Sequence, residues 1–316
     1  MIKILDKRKM TQEDWQIYRE NQKGIGGSEA ATILGVNPYK SKFNLWLEKT
    51  GQVPREKVSN QYVEWGNLLE PVIRKKFQAE TGFKVMQNNF VLQHDTHDFM
   101  VANLDGEVID PSFGGRGVLE IKTTSEHNKK DWAEGCPTHY MCQLQHYLAV
   151  TGYEYAYIVC LCGGNHFVYY LVERNDFIID QMIKAEMEFM EQVRLGIPPE
   201  IGGSQSESDW LQVAFPNAND EEMTIPPEIE NLAQEYMELQ AHIKDLNART
   251  DEIKNKIKLE GKEFKTLKGE SIKISMPTIN KVMFDSKLFA EEYPDLYNQY
   301  KTKASSYRGF TVSVVK

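Results

Sequence analysis

The stretch GVLEIKTTS, residues 117–125, alternates apolar and polar side chains. In a strand, successive side chains point to opposite faces. Glu120 and Lys122 therefore share one face, and Leu119 and Ile121 turn the other way, toward a core. Just upstream, the Gly114-Gly115 pair reads as a hairpin turn and Phe99–Val108 as the preceding strand, with Asp105 ahead of Gly106 near its end. If these strands pair, two carboxylates and one amine converge. That set suits phosphodiester hydrolysis. Hard Mg²⁺ prefers carboxylate oxygens, a bound divalent ion polarises a phosphoryl group and acidifies water, and an ammonium stabilises charge developing on the phosphate. Taken alone, Glu-x-Lys also fits a solvent-facing charge pair, and Asp-Gly a simple turn.

Working outward, Lys84–Leu92 reads as a further strand, and Thr138–Thr151 as a helix. Tyr155–Cys162 and His166–Val172 read as a hairpin around Gly163-Gly164, and Asp176–Leu195 as a closing helix. On the N-terminal side, Thr11 caps a short helix reaching Arg19, and Ser28 stands at the N-cap of a helix that continues through Ala30–Leu34 and stops at Gly35. Asn37-Pro38-Tyr39 is a turn, Ser41–Thr50 a helix, and Val63–Thr81 an amphipathic helix carrying Leu69, Ile73 and Phe77 on its apolar face and Glu70 beside them. Glu70 has no evident partner within that helix. The polar stretch 202–220 reads as a linker. Beyond it, Ile229, Leu232, Tyr236, Leu239, Ile243, Leu246, Thr250, Ile253 and Ile257 recur in steps of three and four, the a/d signature of a coiled coil or helical arm. Phe264–Lys316 has strand-like ends and a helix near Ser286–Tyr300. The expected organisation is a nuclease-sized α/β domain at 1–200, a linker at 201–225, and a helical arm with a small α+β tail at 226–316.

Composition bounds the rest. The 316 residues, 41% hydrophobic and 26% charged, are those of a globular chain. No apolar run approaches a membrane span and the N-terminus lacks a signal-peptide core, so a cytoplasmic location without membrane contact is expected. Net charge is −9, which argues against a protein that coats DNA through basic surface but not against a DNA enzyme whose acids hold metal. The four cysteines, Cys136, Cys142, Cys160 and Cys162, form no CxxC and fit neither zinc-finger nor iron–sulfur spacing, so reduced thiols are the expectation.

Five ordered motifs together resemble the YqaJ-type viral recombinase family, relatives of phage lambda exonuclease. They are GIGGSEAATILGVNPYKSKFNLWLEKTG, GNLLEP at 66–71, ANLDGEV at 102–108, GVLEIKTTS at 117–125 and QLQHYLAVTG at 143–152, within roughly residues 14 to 196. The resemblance implies a restriction-endonuclease-like fold, a mixed β-sheet flanked by helices, with a PD-(D/E)xK site of the two-metal type using Mg²⁺ or Mn²⁺. It places Asp105, Glu120 and the main-chain carbonyl of Ile121 on the metal, with Leu104 where the family has proline. Lys122, the helix acid Glu70 and Gln143 of a Gln-x-x-x-Tyr motif ending at Tyr147 complete the catalytic set; Gln145 is a neighbouring amide. Ser28 and an upstream arginine would bind a 5′ phosphate. That arginine's usual place holds Asn21 here, so Arg19 or Lys23 substitutes, and Asn103 replaces a second phosphate-binding serine. Tyr39, Phe43 and Trp46 are candidate base-stacking aromatics, although the spacing of Phe43 and Trp46 also suits a core.

The implied activity is 5′-to-3′ resection of double-stranded DNA ends for phage-type recombination, by a phage- or prophage-encoded enzyme of a bacterial host. The implied partners are a single-strand annealing recombinase and further copies of the chain in a trimeric ring. Two other readings stay open. One is an endonuclease or a CRISPR- or helicase-associated nuclease of the same superfamily, whose iron–sulfur versions need cysteines ahead of the domain, where this chain has none before Cys136. The other is a non-catalytic adaptor built on the fold.

Overall fold

The computed structural model describes residues 1–55, 61–301 and 309–314, and the chain divides into two units, Met1–Asp209 and Trp210–Lys316. The first unit opens with β1 (Ile2–Asp6) and a 3-10 turn (Lys7–Lys9). Helix α1 (Gln12–Glu20) starts at Thr11, whose hydroxyl accepts from the Asp14 amide while the Asp14 carboxylate accepts from the Thr11 amide, a reciprocal cap. After β2 (Ile25–Gly26), helix α2 (Gly27–Ile33) begins two residues earlier than expected. Its N-cap is Gly26, not Ser28, and the Gly26 amide donates to the Glu29 carboxylate at 3.0 Å. Ser28 therefore lies inside the first turn with its side chain free of the capping role. Helix α3 (Lys42–Lys49), capped by Ser41, and helix α4 (Gln61–Thr81) follow.

Both long strands expected upstream of the Glu-x-Lys segment are broken. Residues 84–92 give β3 (Lys84–Met86) and most of β4 (Phe90–Gln93), and residues 99–108 give β5 (Met100–Ala102) and most of β6 (Gly106–Ile109). In each case the chain leaves one sheet for another. At the first break the buried Asn88 amide donates to Glu107 at 2.9 Å and its carbonyl oxygen accepts from the Phe90 amide at 2.8 Å, which fixes the crossing. The unit continues with β7 (Gly117–Thr124), a 3-10 segment (Glu126–Trp132), α5 (Thr138–Thr151), β8 (Tyr155–Cys162), β9 (His166–Glu173) and α6 (Asp176–Leu195). Helices α5 and α6 stop at Gly152 and Gly196, both in the left-handed region that a side chain disfavours. The stretch read as a linker contains a helix, α7 (Gln205–Ala214), whose start is held by reciprocal bonds between Ser204 and Glu207.

Two sheets result. One has the order β1-β4-β5-β2, and the other β3-β6-β7-β8-β9. In the larger sheet β6 pairs antiparallel with β7, so the two strands do bring Asp105 and Glu120 together, and β7 pairs parallel with β8 across the α5 crossover. Alternation along β7 splits its side chains between two cores. Val118 packs with Leu144 and Leu148 of α5, while Leu119 and Ile121 pack with Ile73 and Phe77 of α4. A parallel strand pair needs cover on both faces, and these helices provide it. The fold is thus the expected mixed α/β arrangement of mixed sheets flanked by helices.

The second unit carries α8 (Pro227–Gly261), the long C-terminal helix that the heptads predict. It also holds a hairpin of β10 (Thr266–Lys268) and β11 (Lys273–Ser275), then α9 (Ser286–Glu292) and α10 (Pro294–Tyr300). The single helix expected at 286–300 is split because Pro294 lacks an amide donor and starts a new helix. The strand-like ending expected at the C-terminus falls partly on 302–308 and 315–316, outside the described residues. Among the described residues no helix is long and apolar enough to cross a membrane.

Candidate active site

Strand β7 delivers Glu120 and Lys122 to the α5 side of the large sheet. Glu120 is 3% exposed, so this acid is not a surface residue. Its Oε1 accepts from the Lys122 ammonium at 2.7 Å and from the Gln143 amide of α5 at 2.8 Å. Its Oε2 is buried with no partner among the described residues. Asp105, in the turn between β5 and β6, accepts the Ile121 amide at 2.8 Å through Oδ2, which places its carboxylate beside the β7 backbone. The Ile121 peptide thus faces the acid whose metal it was expected to share.

The electrostatics follow from crowding acids in a dry site. Burial raises the Glu120 carboxyl above its ordinary value, and the Asp105 charge adds to this against the pull of Lys122. Asp105 is raised by burial despite Lys122 and the Ile121 amide. Lys122 is held above the usual lysine value: burial opposes its charge, but Glu120 and Asp105 outweigh it. Two carboxylates destabilised by desolvation and mutual repulsion, one with an unpartnered oxygen, are what a divalent cation would relieve. The side chains that could hold such a cation are the two carboxylates Asp105 and Glu120; among the described residues no group of three acidic, histidine or cysteine side chains is placed to hold a metal ion.

Supporting side chains come from three helices. Gln143 also donates to the Tyr147 hydroxyl at 2.9 Å, one turn along α5, so Tyr147 steadies the amide that steadies Glu120. Gln145, by contrast, donates to the Glu173 carbonyl at 2.8 Å and accepts from the Asn175 amide at 2.9 Å, a purely structural brace. Buried His146 bridges α5 to Glu186 of α6 at 2.8 Å and to the Val101 carbonyl of β5 at 3.0 Å. On α4, Glu70 does have a partner within its helix, contrary to expectation: the Arg74 guanidinium bonds it and also donates to the Asp105 carbonyl at 2.8 Å. Burial and then the Asp105 charge raise the Glu70 carboxyl.

These groups line a cleft of about 1040 Å³ that includes Glu70, Asp105, Glu120, Ile121, Lys122 and Gln143. Ser28, Arg19 and Asn103 also line it; Lys23 does not. Tyr39 is on the wall and exposed, whereas Phe43 and Trp46 are both buried in the core and leave the base-stacking set. Sequence reasoning missed Lys7 and Arg55. The Lys7 ammonium donates to Asn103 at 2.6 Å and lines the cleft, with burial lowering its pKa. Arg55 donates to the Arg19 carbonyl and to Glu29, both at 2.7 Å. Neither lies in a motif; only the fold brings them in. Near Lys122, burial pushes the Cys136 thiol up to about 12 and raises those of Cys142 and Cys160, and the sulfurs of Cys160 and Cys162 lie 3.5 Å apart.

Residues 14–154 match the family model of the YqaJ-like viral recombinase domain. The uncharacterized protein YqaJ of Bacillus subtilis (strain 168) is 35% identical over 311 residues, covering 97% of this chain and 95% of that protein. A 67-residue stretch, 21% of this chain and 19% of the other, is 33% identical to protein D345L of African swine fever virus. Among solved structures, the alkaline exonuclease LHK-Exo of Laribacter hongkongensis superposes with a TM-score of 0.48 at 21% identity, covering 58% of this chain and 94% of that one. By its near full-length match to YqaJ, the chain belongs to the YqaJ-like viral recombinase family.

Proposed function

We propose that the chain is a metal-dependent DNA exonuclease that resects double-stranded ends from 5′ to 3′ for recombination by single-strand annealing. The observation that carries this reading is the meeting of buried Glu120 with Asp105 and Lys122 on one wall of an open cleft, with Glu120 Oε2 lacking a partner among the described residues. Asp105, Glu120 and the Ile121 carbonyl would hold Mg²⁺ or Mn²⁺, which supplies Lewis-acid charge and a water acidic enough to attack at neutral pH. Glu70, held near Asp105 by Arg74, is the third acid that a two-metal site would use. Lys122 bears a permanent positive charge beside the acids and neutralises charge that builds on the phosphate oxygens. Gln143 fixes the Glu120 rotamer so that one oxygen stays directed away from Lys122. Ser28, Arg19 and Asn103 line the same cleft and serve as the terminal-phosphate contacts. Ser28, in the first turn of α2 and free of the capping role, suits that task through its hydroxyl.

Family membership supports a role in recombination, and with it DNA ends as substrate, an annealing recombinase as partner and a homotrimeric ring as assembly. The deciding experiment digests linear duplex labelled at either end, with and without a 5′ phosphate, in Mg²⁺, Mn²⁺ or chelator. Release of mononucleotides from phosphorylated 5′ ends, abolished by chelator, is expected. Cleavage of closed circular DNA at a comparable rate would replace the reading with an endonuclease, and no metal-dependent cleavage of any DNA would leave an adaptor.

A further inference from the structure

Among the described residues, the apolar stripe of α8 is uncovered. Its a and d residues from Ile229 to Ile253 are exposed, from 39% at Tyr236 to 66% at Leu246. Phe310 meets Tyr236 edge-on at 5.3 Å but is itself largely exposed. A strict a/d stripe of this width seats one further helix. The flanking charges say which. In the heptads that start at Ile229, the g positions are Glu228, Glu235, His242, Arg249 and Lys256, and the e positions are Ala233, Gln240, Asn247 and Lys254. Acids thus occupy the N-terminal half of one flank and bases its C-terminal half.

Flanking e and g residues set the orientation of paired helices. In a parallel pair each g residue meets the e residue five positions on in the other helix. Arg249 would then face Lys254, and Glu235 would face neutral Gln240. In an antiparallel pair g meets g. Centring two copies of α8 near residue 241 sets Glu228 against Lys256 and Glu235 against Arg249, each twice by symmetry, with His242 near its own mate. The same register stacks Ile229 on Ile253, Tyr236 on Leu246 and Leu239 on Ile243, and puts Thr250 against Leu232, so that no layer holds two polar residues. Antiparallel alignment also sets the helix dipoles head to tail.

We propose that α8 is a self-association arm that pairs antiparallel with α8 of a second copy of this chain in the register centred on residue 241. Arg249 and Lys256 now share Glu252 within their own helix, at 2.6 and 2.5 Å. Those are weak surface pairs that a second helix can outcompete.

Sedimentation equilibrium of the full chain tests the pairing. Glu235→Arg and Arg249→Glu should each loosen association by about tenfold in Kd or more, because every single reversal makes two like-charge contacts per dimer. The double reversal Glu235→Arg/Arg249→Glu should restore it. Ile243→Asp should abolish the α8 pairing while leaving any ring contact of the first unit in place, with circular dichroism confirming that the helix content persists. Tighter association of Arg249→Glu would overturn the proposal in favour of a parallel pair, since Lys254 would then gain an acid. Failure of the double reversal to rescue, or a mass indifferent to all four variants, would also overturn it and leave a different protein as the stripe's partner.

Discussion

Glu29 is a fully enclosed carboxylate held by two cations, Lys49 at 2.8 Å and Arg55 at 2.7 Å. Burial acts to raise its pKa, but Lys49 and Arg55 outweigh burial and depress it below the ordinary 4.5. A group whose folded pKa lies below its unfolded one stabilises above the unfolded value, and the contribution is lost as pH falls through the folded value. Glu29→Gln should therefore cost about 3 kcal/mol near neutrality, the cost of stranding a buried partner charge. The gap between wild type and variant should close as thermal melts are taken from neutral pH to below 4.5; a gap constant with pH would mean that packing, not charge, sets it. Lys122 makes the opposite kind of prediction. Under the proposed function its ammonium acts where charge develops, so Lys122→Ala should lower turnover by about 10²–10³-fold and leave DNA affinity nearly unchanged. Single-turnover cleavage with fluorescence anisotropy on the same duplex separates the two, and near-normal turnover would make the amine structural.

At the scale of elements, the site depends on how closely α2 approaches α5. Gly27 has no room for a side chain: a Cβ there would lie 2.5 Å from Cε1 of Tyr147. Gly27→Ala should therefore push Tyr147 off Gln143, cost about 1–3 kcal/mol in urea denaturation, and slow cleavage; an unchanged midpoint would show that α5 yields freely. Much of this architecture is legible in the sequence. The helices and the β8–β9 hairpin follow from periodicity and from glycine stops. Alternation along β7 alone puts Glu120 and Lys122 on one face. The break at 103–105 is not legible, because alternation runs on through Asn103–Asp105 while the backbone changes sheet; at 84–92 the three polar residues Gln87–Asn89 do interrupt the pattern, but they do not tell that the chain leaves one sheet for another. A local pattern carries no record of which sheet a strand joins. The Glu70–Arg74 pair has the spacing of four that a helix brings together, a signal that the expectation of no partner passes over, and the Arg74 bond to the Asp105 carbonyl leaves no local trace at all. Lys7 and Arg55 reach the cleft only through long-range packing.

For the whole molecule, every residue assigned to the cleft lies in Met1–Asp209, and the arm lies in Trp210–Lys316. Ending the chain after Asp220 should leave a folded unit that still cleaves DNA but has lost the association carried by α8. Far-UV circular dichroism, sedimentation and end-labelled digestion would check this, and an insoluble product would make the second unit part of the folding core. The thiols bear on how such experiments can be done. Attack on a maleimide requires thiolate, and burial keeps Cys136, Cys142 and Cys160 protonated at neutral pH while Cys162 is enclosed. A cysteine introduced on the face of α8 away from the a/d stripe and its flanks, for instance at the exposed Gln234, should take up a fluorophore or spin label far faster than any native thiol. Interprobe distances across paired arms could then be read on an unaltered first unit, with its four natural cysteines left in place.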